Sequence, residues 1–277
     1  MTATWLTVNG RRVRYRVDGD GPPVLLLHGL GRSLEDWTEQ HDLLRDRFRV
    51  YSLDLPGSGR SAPLDVPHTL PALADAVARF CDEVGITAPA HVAGNSLGGA
   101  VAMQLAVRHP ARVASLVLVN SAGFGREVTP ALRILAIRPL ARILLRPSRF
   151  AARRTTRSVF HDPALVTEAR IAHALALARE PHAARVMLET LRDLGGLRGV
   201  HPQWRTALLD AVAALPVPVL VTWGDHDLIL PASHLAAART RLPHARTHLF
   251  AGCGHLPQVE HAEKFSQLVT DFWATPG

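Results

Sequence analysis

Five residues, Gly94-Asn95-Ser96-Leu97-Gly98, constrain the fold of this chain more than any other feature, because they fit a sharp strand-to-helix turn. The pattern G-x-S-x-G lifts a serine hydroxyl out of a parallel sheet, where it is open to nucleophilic chemistry. The flanks match. Ala90-His91-Val92-Ala93 is a short, mainly apolar segment suited to a buried strand. Gly99 to Ala106 is a helix-like run, and His109-Pro110 follows where proline stops a helix. The glycines have a steric reason: the turn presses two backbones together, and side chains at 94 and 98 would clash.

A serine alone is a weak nucleophile and needs a base, with a third group to orient it. Pro218 to Trp223 reads as a buried strand, and Gly224-Asp225-His226-Asp227 leaves its carboxyl end. His244 to Phe250 reads as a last strand, followed by Ala251-Gly252-Cys253-Gly254-His255. An acid and then a histidine thus follow the serine, each just past a strand's carboxyl end, where open α/β sheets place their sites. Further strands are predicted at 12–17, 24–28, 49–53 and 113–119, and helices near 34–47, 70–85, 97–108, 232–241 and 261–273. That alternation predicts a mainly parallel sheet covered on both faces. Residues 125–210 differ, with helical periodicity and almost no strand signal. The expected organisation is a core of residues 1–124 and 211–277, with 125–210 inserted as a helical lid over the site.

On these motifs the chain resembles the α/β-hydrolase superfamily along nearly its whole length. The resemblance implies an α/β-hydrolase fold, with a mainly parallel eight-stranded sheet, helices on both faces and a helical cap. His28-Gly29-Leu30-Gly31 is similar to the family's oxyanion loop, and Asp54 to Ser61 is similar to its turn after the next strand. The family's acid stands three residues after the strand-end glycine, which selects Asp227 over Asp225, and Gly252-Cys253-Gly254-His255 supports His255 as the base. The resemblance therefore implies a triad of Ser96, Asp227 and His255, with the backbone N–H groups of Leu30 and Leu97 as oxyanion donors. Gly29, Gly31, Asn95, Leu228, Ile229 and Leu256 are the expected pocket residues.

The implied reaction is acyl transfer to water through an acyl-enzyme on Ser96, from an ester with a hydrophobic acyl or aryl group. A closer resemblance joins Gly94-Asn95-Ser96 and the Cys-Gly-His ending to carbon–carbon bond hydrolases of ring-opened aromatic products. The alternative is therefore hydrolysis of a vinylogous diketone acid. The chain departs from those enzymes in carrying Leu256 where they often carry Trp, and in offering only Arg170 near His173 for their lid arginine. Relatives that use an elbow aspartate are disfavoured by Ser96. A ligand-binding protein on a hydrolase scaffold is the non-enzymatic alternative, but binding would not require all three triad residues.

Composition bounds the partners. The chain has 277 residues and a net charge of +7, and that charge is local: residues 126–200 hold 14 arginines against 6 acids. The favoured explanation is a lid with apolar residues over the pocket and arginines in water, rather than a membrane-binding surface. Few aromatics and no recognised module argue against nucleic acid. The fifteen histidines form no metal-site spacing, so neither metal nor cofactor is expected. Two cysteines make no disulfide framework, and Cys253 reads as a small buried residue. With no apolar run long enough to span a bilayer and no secretory signal, a cytoplasmic location is the expectation. His28 is expected to hold its loop, Asp225 to cap a turn and Asp54 to be structural.

Overall fold

A strand buried on both faces must be apolar at every position, and the segment Pro-Val-Leu-Leu-Leu at 23–27 meets that demand: Val24 to Leu27 have no exposed surface. The computed structural model describes residues 3–274. Eight strands share one sheet: β1 (Thr4–Val8), β2 (Arg11–Asp18), β3 (Pro23–Leu27), β4 (Arg49–Leu53), β5 (Ala90–Asn95), β6 (Val113–Val119), β7 (Val219–Gly224) and β8 (Arg246–Phe250). They lie in the order β1-β2-β4-β3-β5-β6-β7-β8. Strand β2 pairs antiparallel with β1 and with β4, and the remaining pairs are parallel.

Helices α1 (Thr38–Leu44), α2 (Leu70–Glu83) and α3 (Leu97–Arg108) connect the strands as far as β6. Six helices lie between β6 and β7: α4 (Pro130–Ile134), α5 (Arg138–Leu144), α6 (Arg149–Val159), α7 (Glu168–Ala178), α8 (Ala183–Leu194) and α9 (Pro202–Ala213). Helix α10 (Ser233–Arg241) follows β7, and α11 (Pro257–Glu260) and α12 (Ala262–Ala274) follow β8. The period-2 alternation of β3 divides the core. Leu25 and Leu27 join Leu73, Val77, Met103 and Leu105 from α2 and α3 on one face. Val24 and Leu26 join Trp37, Leu44, Phe265 and Val269 on the other.

Several elements differ from the periodicity-based expectation. Strand β1 is absent from it, although Asn9-Gly10, with φ of 47° and 73°, makes the tight hairpin turn into β2. The expected helix over 34–47 is a 3-10 turn at Leu34–Trp37 followed by α1. Residues 125–210 contain a two-residue antiparallel ladder, Gly195–Gly196 with Gly199–Val200, besides the helices. The expected boundary at 210 falls inside α9, whose Leu208, Leu209 and Val212 bury themselves in the main core.

Polar links tie the inserted helices to the sheet domain. The Ser33 hydroxyl donates to Glu35 at 2.6 Å and accepts from His173 of α7 at 2.9 Å. Arg170 of α7 pairs with Glu39 at 3.0 Å, and Glu189 of α8 meets both the backbone N–H and the ring of His68 at 3.2 Å. Glu35 also pairs with Arg14, which reaches Asp54 at 3.1 Å. Burial pushes the Glu35 carboxyl up, but the Arg14 and Ser33 hydrogen bonds and the Arg14 charge outweigh it and bring the pKa down to about 2. A depressed carboxyl pKa gives stability that is complete above the unfolded value and lost as pH falls through the folded one. Glu35→Gln should therefore lower the Tm at pH ~7, and the gap from wild type should narrow by pH ~3. Thermal melts at both pH values check this, and equal Tm values at neutral pH would contradict it.

Candidate active site

Ser96 sits where β5 turns into α3 with φ 56° and ψ −116°, a conformation that L-residues avoid at a cost of about 1–3 kcal/mol. Its surroundings hold it there. The Ser96 N–H donates to Val119 O at 3.0 Å, and its carbonyl accepts from Gly99 and Ala122 N–H at 3.1 and 3.0 Å. A Cβ on Gly94 would lie 2.2 Å from Gly98 O, and one on Gly98 would lie 2.2 Å from Leu27 O. Both obstacles are backbone, so neither can yield.

Asp227 follows β7 and His255 follows β8, and the two meet in a buried pair. His255 Nδ1–H donates to Asp227 Oδ2 at 2.7 Å. Asp227 Oδ1 accepts the Ile229 and Leu230 N–H groups at 2.7 and 3.0 Å. Burial alone would raise the Asp227 carboxyl, but the charge and hydrogen bond of His255, then Asn120 and Leu230, hold it below the usual carboxylate range. The carboxylate is thus ionised and fixes one imidazole tautomer, with Nε2 facing away from it. Among the described residues no hydrogen bond closes between the Ser96 hydroxyl and His255; such contacts tighten when substrate is in place. The Asn95 side chain nevertheless links the two loops by donating to His255 O at 3.0 Å and Val119 O at 3.2 Å.

Ser96 borders a cavity of about 80 Å³ lined mainly by apolar groups, including Leu30, Leu97, Trp204, Ile229 and Leu230. Leu97 opens α3, so its N–H is one of the first-turn donors without an intrahelical partner. His28 is fully buried: Nδ1–H donates to Gly29 O at 2.8 Å and Nε2 accepts the Leu55 N–H at 2.9 Å. Burial lowers the His28 pKa, so the ring is neutral and braces the loop before Leu30. Gly29 backs onto the elbow, where a Cβ would lie 3.1 Å from Asn95 Oδ1 and 3.2 Å from Ser96 Cβ.

The other expected pocket residues divide. Ile229 borders the Ser96 cavity, whereas Gly31 borders a second one of about 150 Å³. Leu228 is 67% exposed and borders neither, because the Asp227 bonds to the Ile229 and Leu230 N–H groups turn its side chain outward. Leu256 is buried among Val159, Phe160 and Val259 rather than facing the cavity. Asn95 is likewise buried, and its amide NH2 is spent on backbone carbonyls. Asp225 accepts from the Cys253 N–H at 3.1 Å and the His226 ring at 2.7 Å. Burial pushes the Cys253 thiol well up, which keeps it protonated and inert. Among the described residues no group of three or more His, Cys, Asp or Glu side chains is placed to hold a metal ion.

Two residues that periodicity does not single out complete the geometry. Asn120, at the carboxyl end of β6 with φ 44°, donates to Asp227 Oδ2 at 2.7 Å and to Gly254 O at 3.3 Å. Glu260 accepts the His161 and Asp162 N–H groups at 2.7 and 2.9 Å on one oxygen and the Gly254 N–H on the other. The His255 N–H itself donates to Val159 O at 2.8 Å. The end of α6 is therefore stitched to the loop that carries the histidine. The sequence signal for Asn120 is a polar residue at a strand's carboxyl edge.

A family model described as alpha/beta hydrolase fold matches residues 22–262. The chain belongs to that family. This hydrolase is 38% identical over 265 residues to the dihydrolipoyllysine-residue acetyltransferase component of an acetoin cleaving system from Cupriavidus necator, covering 95% of the chain and 66% of that relative. It is 30% identical over 262 residues to a 2-hydroxy-6-oxononadienedioate/2-hydroxy-6-oxononatrienedioate hydrolase from a Pseudomonas species, covering 92% of the chain and 89% of that relative. A crystal structure described as a membrane phospholipase A superposes with a TM-score of 0.80 at 28% identity, covering 98% of this chain and 85% of the other. In the hydrolase described here no helix, among the described residues, is long and apolar enough to cross a membrane.

The backbone crossing at Gly98 makes a stability prediction. Gly98→Ala should lower the Tm and the yield of folded protein, because the new methyl meets Leu27 O and neighbouring backbone. Gly252→Ala is the comparison: it carries a positive-φ cost, at 64°, that helical Gly98 does not, but has open space around its Cβ, so a larger loss at Gly98 reports the steric clash. Equal stability of Gly98→Ala and wild type would contradict the steric account.

Proposed function

We propose that the protein is a serine hydrolase that cleaves a carboxylic ester with a hydrophobic acyl or aryl group through an acyl-enzyme on Ser96. The observation that carries this is the buried Asp227–His255 pair at 2.7 Å, tied through Asn95 to the elbow that presents Ser96 to an apolar cavity. His255 Nε2 takes the hydroxyl proton as Ser96 Oγ attacks the ester carbonyl, while ionised Asp227 stabilises the imidazolium. The Leu30 and Leu97 N–H groups meet the developing oxyanion, each such donor contributing about 3–4 kcal/mol to the barrier. The imidazolium gives its proton to the departing alcohol. Water, deprotonated by His255, then attacks the acyl-enzyme and releases the acid with Ser96 restored. Residues 125–210 act in this scheme as a lid that keeps bulk water from the acyl-enzyme. Kinship with the phospholipase A structure supports ester chemistry.

A second reading, cleavage of a carbon–carbon bond in a vinylogous diketone acid, draws on the 30% identical relative named as a hydrolase of such a substrate. Among the described residues Arg133 is the one ionisable side chain bordering the Ser96 cavity, where it would meet a substrate carboxylate. Wild-type turnover of a diketone acid much faster than of simple esters would promote it.

Ser96→Ala should abolish hydrolysis of short p-nitrophenyl esters and labelling by a fluorophosphonate probe; near-normal turnover would sink the proposal. Asp227→Asn should lower kcat by about 10³–10⁴-fold with little change in KM, because the amide favours the wrong imidazole tautomer. Steady-state kinetics at neutral pH separate the two parameters, and a loss confined to KM would contradict the role.

A further inference from the structure

The second cavity, about 150 Å³, lies across the Leu30 turn from Ser96. Leu30 borders both cavities, and so does α8. Met187 of that helix borders the larger one, and Leu191, one turn later, borders the one that holds Ser96. The wall between them is therefore Leu30 together with the α8 face carrying Met187 and Leu191. Met187 is its movable part. Its Cε methyl lies so close to the loop that a Cβ on Gly31 would sit 2.7 Å away. An unbranched thioether has three rotatable bonds and adapts where a branched side chain cannot.

The lining decides what fits. Helices α6, α7 and α8 contribute alanines, among them Ala151, Ala174 and Ala184, between larger aliphatic residues. Among the described residues no aromatic ring and no carboxylate borders the cavity. Small aliphatic walls suit a straight alkyl chain, whereas an aryl ring finds nothing to stack on. Arg32, a half-buried cation in the lining, is already held by Asp36 through Nε at 2.7 Å. Among the described residues the other cation in the lining, Arg146, is exposed, so no buried charge is left to bind a charged chain end.

We propose that this cavity binds the straight alkyl chain of the substrate's acyl group, and that Met187 is the gate that chains too long for the Ser96 cavity must displace. The link to Ser96 rests on the ester reading and narrows it, to esters of straight-chain fatty acids rather than aryl acids. The test uses p-nitrophenyl acetate, octanoate and benzoate, and follows the octanoate-to-acetate ratio of kcat/KM. Met187→Ala should raise that ratio and Ala174→Trp should lower it, each about tenfold, the scale at which pocket shape discriminates alkyl groups. Wild type should prefer octanoate to benzoate. Binding is read separately, without turnover, from the fluorescence of dansyl-undecanoic acid on the Ser96→Ala protein. It should be lost when Ala174→Trp is added. A chain-length ratio unchanged in both variants, or probe binding indifferent to Ala174→Trp, would overturn the proposal. Failure of the ester reading has a different signature: no ester is turned over, while probe binding still responds at Ala174.

Discussion

Everything at the site depends on one crossing of bare backbones. The end of β3 at Leu27, the end of β5 at Gly94 and the first turn of α3 at Gly98 approach so closely that no Cβ fits between them. That contact does three things together. It forces the Ser96 backbone into its strained turn, aims the open end of α3 at the space above the sheet, and sets the loop from His28 to Gly31 beside it. Ser96 and both candidate oxyanion donors are therefore placed by steric exclusion between main chains, with the His28 ring bracing the loop before Leu30. Main-chain positions of this kind survive changes in the surrounding side chains, which is why the same arrangement supports many substrate preferences.

The sequence carries the parts of this structure that rest on backbone geometry and hydrophobic period. The elbow is legible because only glycine tolerates the crossing, and the central strands are legible because burial on both faces leaves continuous apolar runs. The family model over 22–262 and the parallel order of β3 to β8 agree with that. What depends on packing is not legible. Leu228 and Leu256 follow Asp227 and His255 in sequence, yet one points to water and the other into a satellite cluster, because turn hydrogen bonds set their directions. Asn120 and Glu260 bond to groups about a hundred residues away in the chain, and no periodicity encodes such a distance. Strand β1 escaped for a different reason: its Asn-Gly turn signals a hairpin more clearly than its own mixed residues signal a strand.

The charge surplus of residues 126–200 separates into two uses. Arg170 reaches back to Glu39 and helps fasten α7 to the sheet domain. Others face outward: Arg149 and Arg153 share Glu168 on the surface, an exposed cluster worth little to stability. Solubility is a sufficient use for them, since Phe150 beside them is 78% exposed.

The stitch between the end of α6 and the histidine loop has a mechanical meaning. Glu260 and the Val159 carbonyl hold residues 159–162 to Gly254 and His255, so the rear of the inserted helices is a lever whose short arm is the imidazole. Front and rear of the insertion are therefore unequal. On the proposed mechanism, rebuilding α4 and α5 would change what enters, whereas a transplant that reroutes 159–162 would move His255, the proposed base. Exchange of roofs between such proteins is a splice with one fixed seam.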